Sequence, residues 1–256
     1  MATFGSFDGV TLSYQDEGRG RAVVLLHGFA ADTNINWVRS GVLDALVDEG
    51  YRALALDARG HGLSEKPHEP EAYADGAVTR DARALLDHLD VDRCVLVGHS
   101  MGGMIAQTVA LARPQLVERL VLVGSISRMT YSRGRGLVMA ASTLVPFRLF
   151  VAANIQRAFA PGHPREEIRR YIKASAATPK EVVMTDYGAM RAFDVLDRVG
   201  EIKAPTLIVH GYHDIQLPVK QMLRMAKAYP NAVVRVIDAG HELPLEKPAE
   251  LTEALE

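Results

Sequence analysis

Three residue types in this sequence have the spacing and surroundings to move an acyl group. Ser100 stands in Gly98-His99-Ser100-Met101-Gly102, directly after the apolar run 95–97 and directly before the helix-like stretch 103–112. A serine between two glycines at a strand-to-helix turn sits on a sharp, strained bend that lifts its hydroxyl clear of the sheet. Side chains at Gly98 or Gly102 would collide with neighbouring backbone there. The same turn aims the hydroxyl at a helix N-terminus, where unpaired N–H groups favour developing negative charge.

A serine hydroxyl is a weak nucleophile near neutral pH and needs a base beside it. His241, in Asp238-Ala-Gly-His-Glu-Leu-Pro244, follows the last apolar run and precedes a final helical piece, which places it at the same sheet edge as Ser100. The base needs an acid to fix its tautomer. Asp214, in His210-Gly-Tyr-His-Asp214, follows the run 206–209 and completes the chain order serine, acid, histidine. Two rivals stand at other strand ends: Asp238, close to the histidine in sequence, and Asp57, which precedes the serine. For the oxyanion, the backbone N–H groups of Phe29, in His27-Gly28-Phe29, and of Met101, the residue after the nucleophile, are the expected donors. His27 and His99 read as loop-bracing histidines.

Other constellations carry less. His210 and His213 near Asp214 lack a second cluster with ligand spacing, so no metal is expected. Arg59-Gly-His-Gly62 lacks the lysine of a phosphate loop and the spacing of a dinucleotide site, so no nucleotide cofactor is expected either.

The elements that must position these residues follow from the hydrophobic pattern. Segments 3–7 and 11–15 alternate around Asp8-Gly9, which predicts an opening antiparallel hairpin with a two-residue turn. Apolar runs at 22–26, 52–56, 94–97, 120–123, 206–209 and 233–237 read as strands covered on both faces. Helical spacing lies between them at 40–49, 77–89, 102–112 and 220–228, with a last piece from Pro248. The alternation predicts an α/β fold, a mostly parallel central sheet with helices on both faces, whose ligand site lies beyond the carboxyl ends of the strands. Between residues 125 and 198 no buried strand is evident, and this stretch reads as a helical insertion. Residues 1–124 and 199–256 then form the core. The insertion holds 12 Lys and Arg against 6 Asp and Glu, a basic body over an acidic base.

With 256 residues, 48% of them hydrophobic, the chain buries a substantial core as one domain. A net charge of −2 and 23% charged residues give no basic excess of the kind nucleic-acid or membrane-surface binders carry. No apolar stretch approaches the roughly 20 residues needed to cross a bilayer, and the N-terminal segment has no signal-peptide pattern. The only cysteine, Cys94, lies inside an apolar run and fits a buried thiol in a reducing cytoplasm. A small-molecule substrate is the expected partner, and a homo-oligomer is compatible with the sequence.

Taken together, His27-Gly28-Phe29, the segment from Asp57 to Ser64, Gly98-His-Ser-Met-Gly-Gly103, His210-Gly-Tyr-His-Asp214 and Gly240-His241 resemble the α/β-hydrolase superfamily, in its capped branch of serine esterases and haloperoxidase-like proteins. The resemblance spans nearly the whole chain. It implies an α/β-hydrolase fold in which 125–198 is a helical cap over the active site, no cofactor, and hydrolysis of carboxylic esters or lactones of small to medium acyl groups through an acyl-enzyme. Ser100 argues against the branches that carry an aspartate at the turn. The carbon–carbon bond hydrolases usually have a tryptophan soon after the histidine, where this chain has Glu242-Leu-Pro-Leu-Glu246. That activity, a perhydrolase activity and a receptor role are the alternatives. Trp37 after the oxyanion loop, with Met139, Leu144, Phe147 and Phe159 from the insertion, are the expected substrate-lining residues.

Overall fold

A computed structural model describes residues 1–129 and 147–255 of the chain. Strands β1 (Ala2–Gly5) and β2 (Thr11–Gly18) form the opening hairpin. Its turn is longer than the Asp8-Gly9 pair predicts: the Ser6 N–H donates to Val10 O and the Gly9 N–H to Ser6 O, so residues 6–10 make the reversal. The next strands, β3 (Ala22–Leu26) and β4 (Arg52–Leu56), coincide with their apolar runs. Strands β5 (Cys94–His99), β6 (Val117–Val123), β7 (Thr206–Gly211) and β8 (Ala232–Ile237) extend theirs by one to three residues.

These strands form one sheet in the order β1-β2-β4-β3-β5-β6-β7-β8. The first two are antiparallel and every pairing from β4 onward is parallel. The strand order reverses at β3 and β5, which places the carboxyl ends of those two strands at the crevice where such sheets bind ligands. Helices α1 (Val42–Asp48), α2 (Ala77–His88) and α3 (Met101–Ala112) connect the first half. Between β6 and β7 the chain inserts α4 (Phe147–Ala158), α5 (Arg165–Ser175) and α6 (Lys180–Ala192), the helical cap. The chain then closes with α7 (Val219–Ala228), the short α8 (Leu243–Glu246) and α9 (Pro248–Leu255).

Alternate side chains of the central strands feed two apolar layers, as period two requires. Val24, Leu96 and Leu122 pack against Leu85, Ile105 and Val109 on one side. Val23, Val97 and Val121 pack against Leu43, Leu46 and Leu251 on the other. One strand departs from the two-faced reading. β8 pairs only with β7, at the margin of the sheet, and Val233 and Val236 are 66% and 49% exposed. Its valines give the apolar run of a buried strand although the strand is an edge. No helix among the described residues is long and apolar enough to cross a membrane.

A buried guanidinium ties the hairpin to the loop after β4. Arg59 is fully buried and makes a two-pronged bond to Asp81 of α2, with Nε and Nη2 each 2.6 Å from a carboxylate oxygen, while Nη1 reaches Asp8 in the hairpin turn at 2.9 Å. Asp81 also accepts the Ser6 hydroxyl. Removing one member of such a pair strands the other charge in a dry interior, so Arg59→Met is expected to lower the unfolding free energy by about 3–5 kcal/mol. Urea denaturation followed by circular dichroism measures this, and a loss below about 1 kcal/mol would contradict it.

Candidate active site

The serine turn is built from close backbone approach. A Cβ at Gly98 would overlap the backbone of Gly102 and Gly103, and one at Gly102 would overlap the carbonyl oxygen of Leu26 at the end of β3. With both positions bare, β5 can reverse directly into α3 over the end of β3. Ser100 sits at the apex with φ 51° and ψ −111°, a conformation costing a non-glycine residue about 1–3 kcal/mol. The surroundings hold it there: its N–H donates to Val123 O at 2.9 Å, and its carbonyl accepts the Ser125 hydroxyl at 2.8 Å.

Strand ends converge on that apex. The Ser100 hydroxyl lies 2.9 Å from His241 Nε2, and His241 Nδ1 lies 2.7 Å from Asp214 Oδ2. The second oxygen of Asp214 accepts the N–H groups of Gln216 and Leu217 at 2.8 and 2.9 Å, so the ionised carboxylate faces the ring as a hydrogen-bond acceptor. The Nδ1–H must therefore point at Asp214, which leaves the Nε2 lone pair facing the serine hydroxyl. Both rival carboxylates are occupied elsewhere. Asp57 accepts the N–H groups of Thr33 and Leu63, each at 2.8 Å, bracing the loops after β3 and β4, and Asp238 is bound to His213 at 2.9 Å on the surface.

Burial disfavours a positive imidazole at His241, yet the charge and hydrogen bond of Asp214 outweigh it and raise this histidine to about 9. Burial likewise works against the Asp214 carboxylate, and His241 together with the Leu217 amide brings it below the usual range. His99 lies against the same ring, 5.3 Å between centroids, with Nε2 3.0 Å from the His241 carbonyl. It has no carboxylate partner among the described residues, and burial first, with the neighbouring His241 charge, pushes it down to about 3. It is a neutral brace.

The loop after β3 is fixed in the same manner. His27 Nε2 accepts the Ala58 N–H at 3.0 Å, so Nδ1 carries the proton and donates to Gly28 O at 2.8 Å. The Gly28 N–H donates to Asn36 Oδ1 at 2.7 Å. Phe29 follows this pinned glycine at the rim of the site, and Met101 opens α3, where helix N–H groups have no intrahelical acceptor.

A cavity of about 350 Å³ opens over Ser100 and His241. Its walls are mainly apolar, with Phe29, Met104 and Leu217 from the core and Val151, Ile155 and Met190 from the cap. Met104, on the first turn of α3, is thus a wall residue. Of the expected lining residues, Met139 and Leu144 lie outside the described residues, and Phe147 is the first residue of α4. Trp37 is elsewhere: it is fully buried among Val23, Leu25, Leu46 and Val97. The helical turn Asn34–Val38 points it away from the serine and into the core, so its proximity in sequence to the oxyanion loop misleads. Phe159 also packs rather than lines this cavity. It meets the Tyr171 ring edge-on at 5.8 Å and stacks on His163 at 4.6 Å, joining the cap to the core, and it borders a separate outer groove.

Sequence reading missed Asn36, Tyr171, Glu242 and Glu246. Glu246 accepts the N–H groups of Gly240 at 3.0 Å and Ala160 at 2.8 Å, tying the histidine loop to the cap. Its place five residues after His241 was the available signal. As for a metal, His99, His241 and Glu242 are the one cluster of suitable donors among the described residues. Both His241 nitrogens and His99 Nε2 are already engaged in the bonds given above.

Comparison with known proteins adds kinship to this geometry. A family model described as the alpha/beta hydrolase fold matches residues 21–248. The chain is 32% identical over 259 residues to the 2-hydroxy-6-oxononadienedioate/2-hydroxy-6-oxononatrienedioate hydrolase of Cupriavidus pinatubonensis, covering 88% of this chain and 82% of that protein. Among solved structures it is similar to an esterase from Exiguobacterium antarcticum, with a TM-score of 0.88, 25% identity and coverage of 99% and 97% of the two chains. It is also similar to Est816, an N-acyl homoserine lactone degrading enzyme, with a TM-score of 0.82, 31% identity and coverage of 97% and 96%.

The relay makes a measurable demand on the imidazole. His241 is expected to titrate well above the ordinary histidine value in a proton NMR titration of the ring, and Asp214→Asn is expected to bring it down, because the attracting charge is gone while burial persists. An unchanged midpoint in the variant would break the assignment of cause.

Proposed function

Since the chain belongs to the α/β-hydrolase fold family, we propose that it hydrolyses carboxylic esters of small to medium acyl groups, with lactones as cyclic members of the same class. The observation that carries this reading is the unbroken proton path from the Ser100 hydroxyl through His241 to Asp214.

In this mechanism the neutral form of His241 takes the serine proton at Nε2 as Ser100 attacks the carbonyl carbon. Asp214 stays ionised and stabilises the imidazolium that forms. The N–H groups of Phe29 and Met101 receive the charge that develops on the carbonyl oxygen, where each well-placed donor contributes about 2.7–4 kcal/mol to the barrier. His241 then protonates the leaving alcohol. Water, activated by the same nitrogen, attacks the acyl-serine, releasing the acid and restoring the hydroxyl. The wall of Met, Leu, Ile and Phe side chains suits an apolar acyl chain, and the cap, residues 125–198, sets its length.

Both the esterase and Est816 support acyl–oxygen cleavage. The relative from Cupriavidus supports a second reading, hydrolysis of a carbon–carbon bond in an oxo-dienoate, by the same serine and histidine. A reducing cytoplasm suits the free, buried thiol Cys94.

Ser100→Ala is expected to abolish turnover of p-nitrophenyl esters, by at least about a thousandfold in kcat, while leaving the thermal unfolding midpoint of the protein in place or higher, since alanine relieves no packing and the strained apex persists. Retained turnover in a clean preparation would reject the serine. A faster rate on an aryl oxo-dienoate than on any ester in a parallel panel would favour the second reading.

A further inference from the structure

The cavity wall contains one acid that the proton relay does not use. Glu242 follows His241, is only 4% exposed, and lines the cavity beside Ser100. Its Oε2 is buried with no hydrogen-bond partner among the described residues. Leaving a buried acceptor unpaired is costly, and more so when it is charged. A fold that needed only a wall residue here would do better with leucine or methionine, the types that surround it. An unpaired acceptor on a cavity wall is what a substrate donor would complete.

The groups facing Glu242 leave its Oε2 without a hydrogen-bond partner, although Tyr171 engages the carboxyl group. They are His241 and Asp214 of the relay, Glu246 of α8 and Tyr171 of α5. His241 is committed to Asp214 and Ser100, and Glu246 to the Gly240 and Ala160 amides. Tyr171 lines the same cavity and hydrogen-bonds the Glu242 carboxyl, so the two form a polar end in an otherwise apolar chamber with Oε2 still unpartnered. Burial raises the Glu242 carboxyl to about 7, against the pull of His241 and Tyr171, so it is largely a carboxylate in mildly alkaline solution.

We infer that Glu242 is a specificity determinant that accepts a hydrogen bond from a hydroxyl group of the substrate, so that the enzyme selects hydroxyl-bearing esters over their plain hydrocarbon counterparts. The inference rests on the ester-hydrolase reading above. A site built around a buried polar group rejects the analogue that lacks its partner far more strongly than an apolar pocket rejects an extra methylene.

The test compares kcat/KM at about pH 8 for matched esters that differ by one hydroxyl: p-nitrophenyl hexanoate against its 3-hydroxy and 6-hydroxy forms, and ethyl against 2-hydroxyethyl hexanoate. At least one pair is expected to favour the hydroxyl by about tenfold or more, the worth of one charge-assisted hydrogen bond. Glu242→Leu should reduce that ratio to about twofold or less. Because both members of a pair use the same serine and histidine, the ratio cancels any change in the relay. Ratios near one for every pair in the unaltered enzyme, or a preference that survives Glu242→Leu, would overturn the inference. Should that variant fail to fold, Glu242→Gln keeps the shape and removes the charge; the ratio should then fall about threefold or more, and an unchanged ratio overturns it. Turnover of the plain hexanoate without a hydroxyl preference defeats this inference alone, whereas no turnover of any ester defeats the esterase reading and the inference with it.

Discussion

The site depends on a steric fact: three pieces of backbone meet where no side chain fits. Gly98 lies against Gly102, Gly102 lies against the carbonyls of Leu26 and His27, and Gly103 lies against Ser125. That contact lets a strand reverse into a helix across its neighbour and presses Ser100 into a strained backbone conformation with positive φ. The helix it feeds is held from below by Gln107, whose amide donates to Gly103 O and Ile126 O, while its oxygen accepts Ser127 and Tyr229 hydroxyls. Strain at the apex is therefore countered by bonds on both sides of it, and the hydroxyl has one place to be.

The base is positioned by a different device, and it couples chemistry to the cap. The histidine loop leaves an edge strand whose outer face is exposed, a poor foundation for a residue that must be held within a fraction of an ångström. Its support comes from the insertion instead. The His241 N–H donates to Ala158 O at the end of α4, and Glu246 binds the amides of Gly240 and Ala160 at once. A Cβ at Gly240 would overlap the Ala158 and Ala160 backbone, so the two segments are in direct contact. The cap that shapes the acyl chamber thus also sets the imidazole, and movement of one is felt by the other.

Much of this was legible in the order of residues. Strands β3 and β4 are spans of uninterrupted apolar residues, and their limits coincide with Ala22–Leu26 and Arg52–Leu56 because hydrogen-bonded pairing on both sides leaves them no freedom to fray. The serine turn and the two strand-end residues that meet it follow from the local rule that parallel sheets bind ligands beyond their carboxyl ends. What failed was everything decided by rotation about a helix or by an element's place in the sheet. Trp37 lies near Phe29 in sequence, but the turn of Asn34–Val38 directs it into the core. Phe159 is of the right type for a pocket and meets Tyr171 instead. The valines of β8 carry the pattern of a central strand at the margin of the sheet. Glu242 was passed over because a glutamate beside a histidine reads as solvent-facing until the cap is in place to bury it.

Burial alone does not decide what a histidine does in this protein; the partner does. Loss of water is the largest influence on His61, His99, His210 and His241, and in each case it opposes the positive ring. The first three end below the ordinary value, His61 and His99 at about 3, and these two hold fixed hydrogen bonds in the loops around the site. His61 even has a carboxyl 3.3 Å away, on Asp186 of the cap helix α6, without gaining charge. Among the described residues Asp186 has no backbone amide or cation to hold its own negative charge, and burial raises it to about 8, so near neutral pH that pair resolves by staying uncharged. Asp214 differs in receiving two backbone N–H bonds from the loop after β7, which add to the pull of His241 in holding it ionised and so let it raise the one ring that must accept a proton. Between His61 and His241 the distinction is therefore made at the partner, by whether the facing carboxylate is itself hydrogen-bonded.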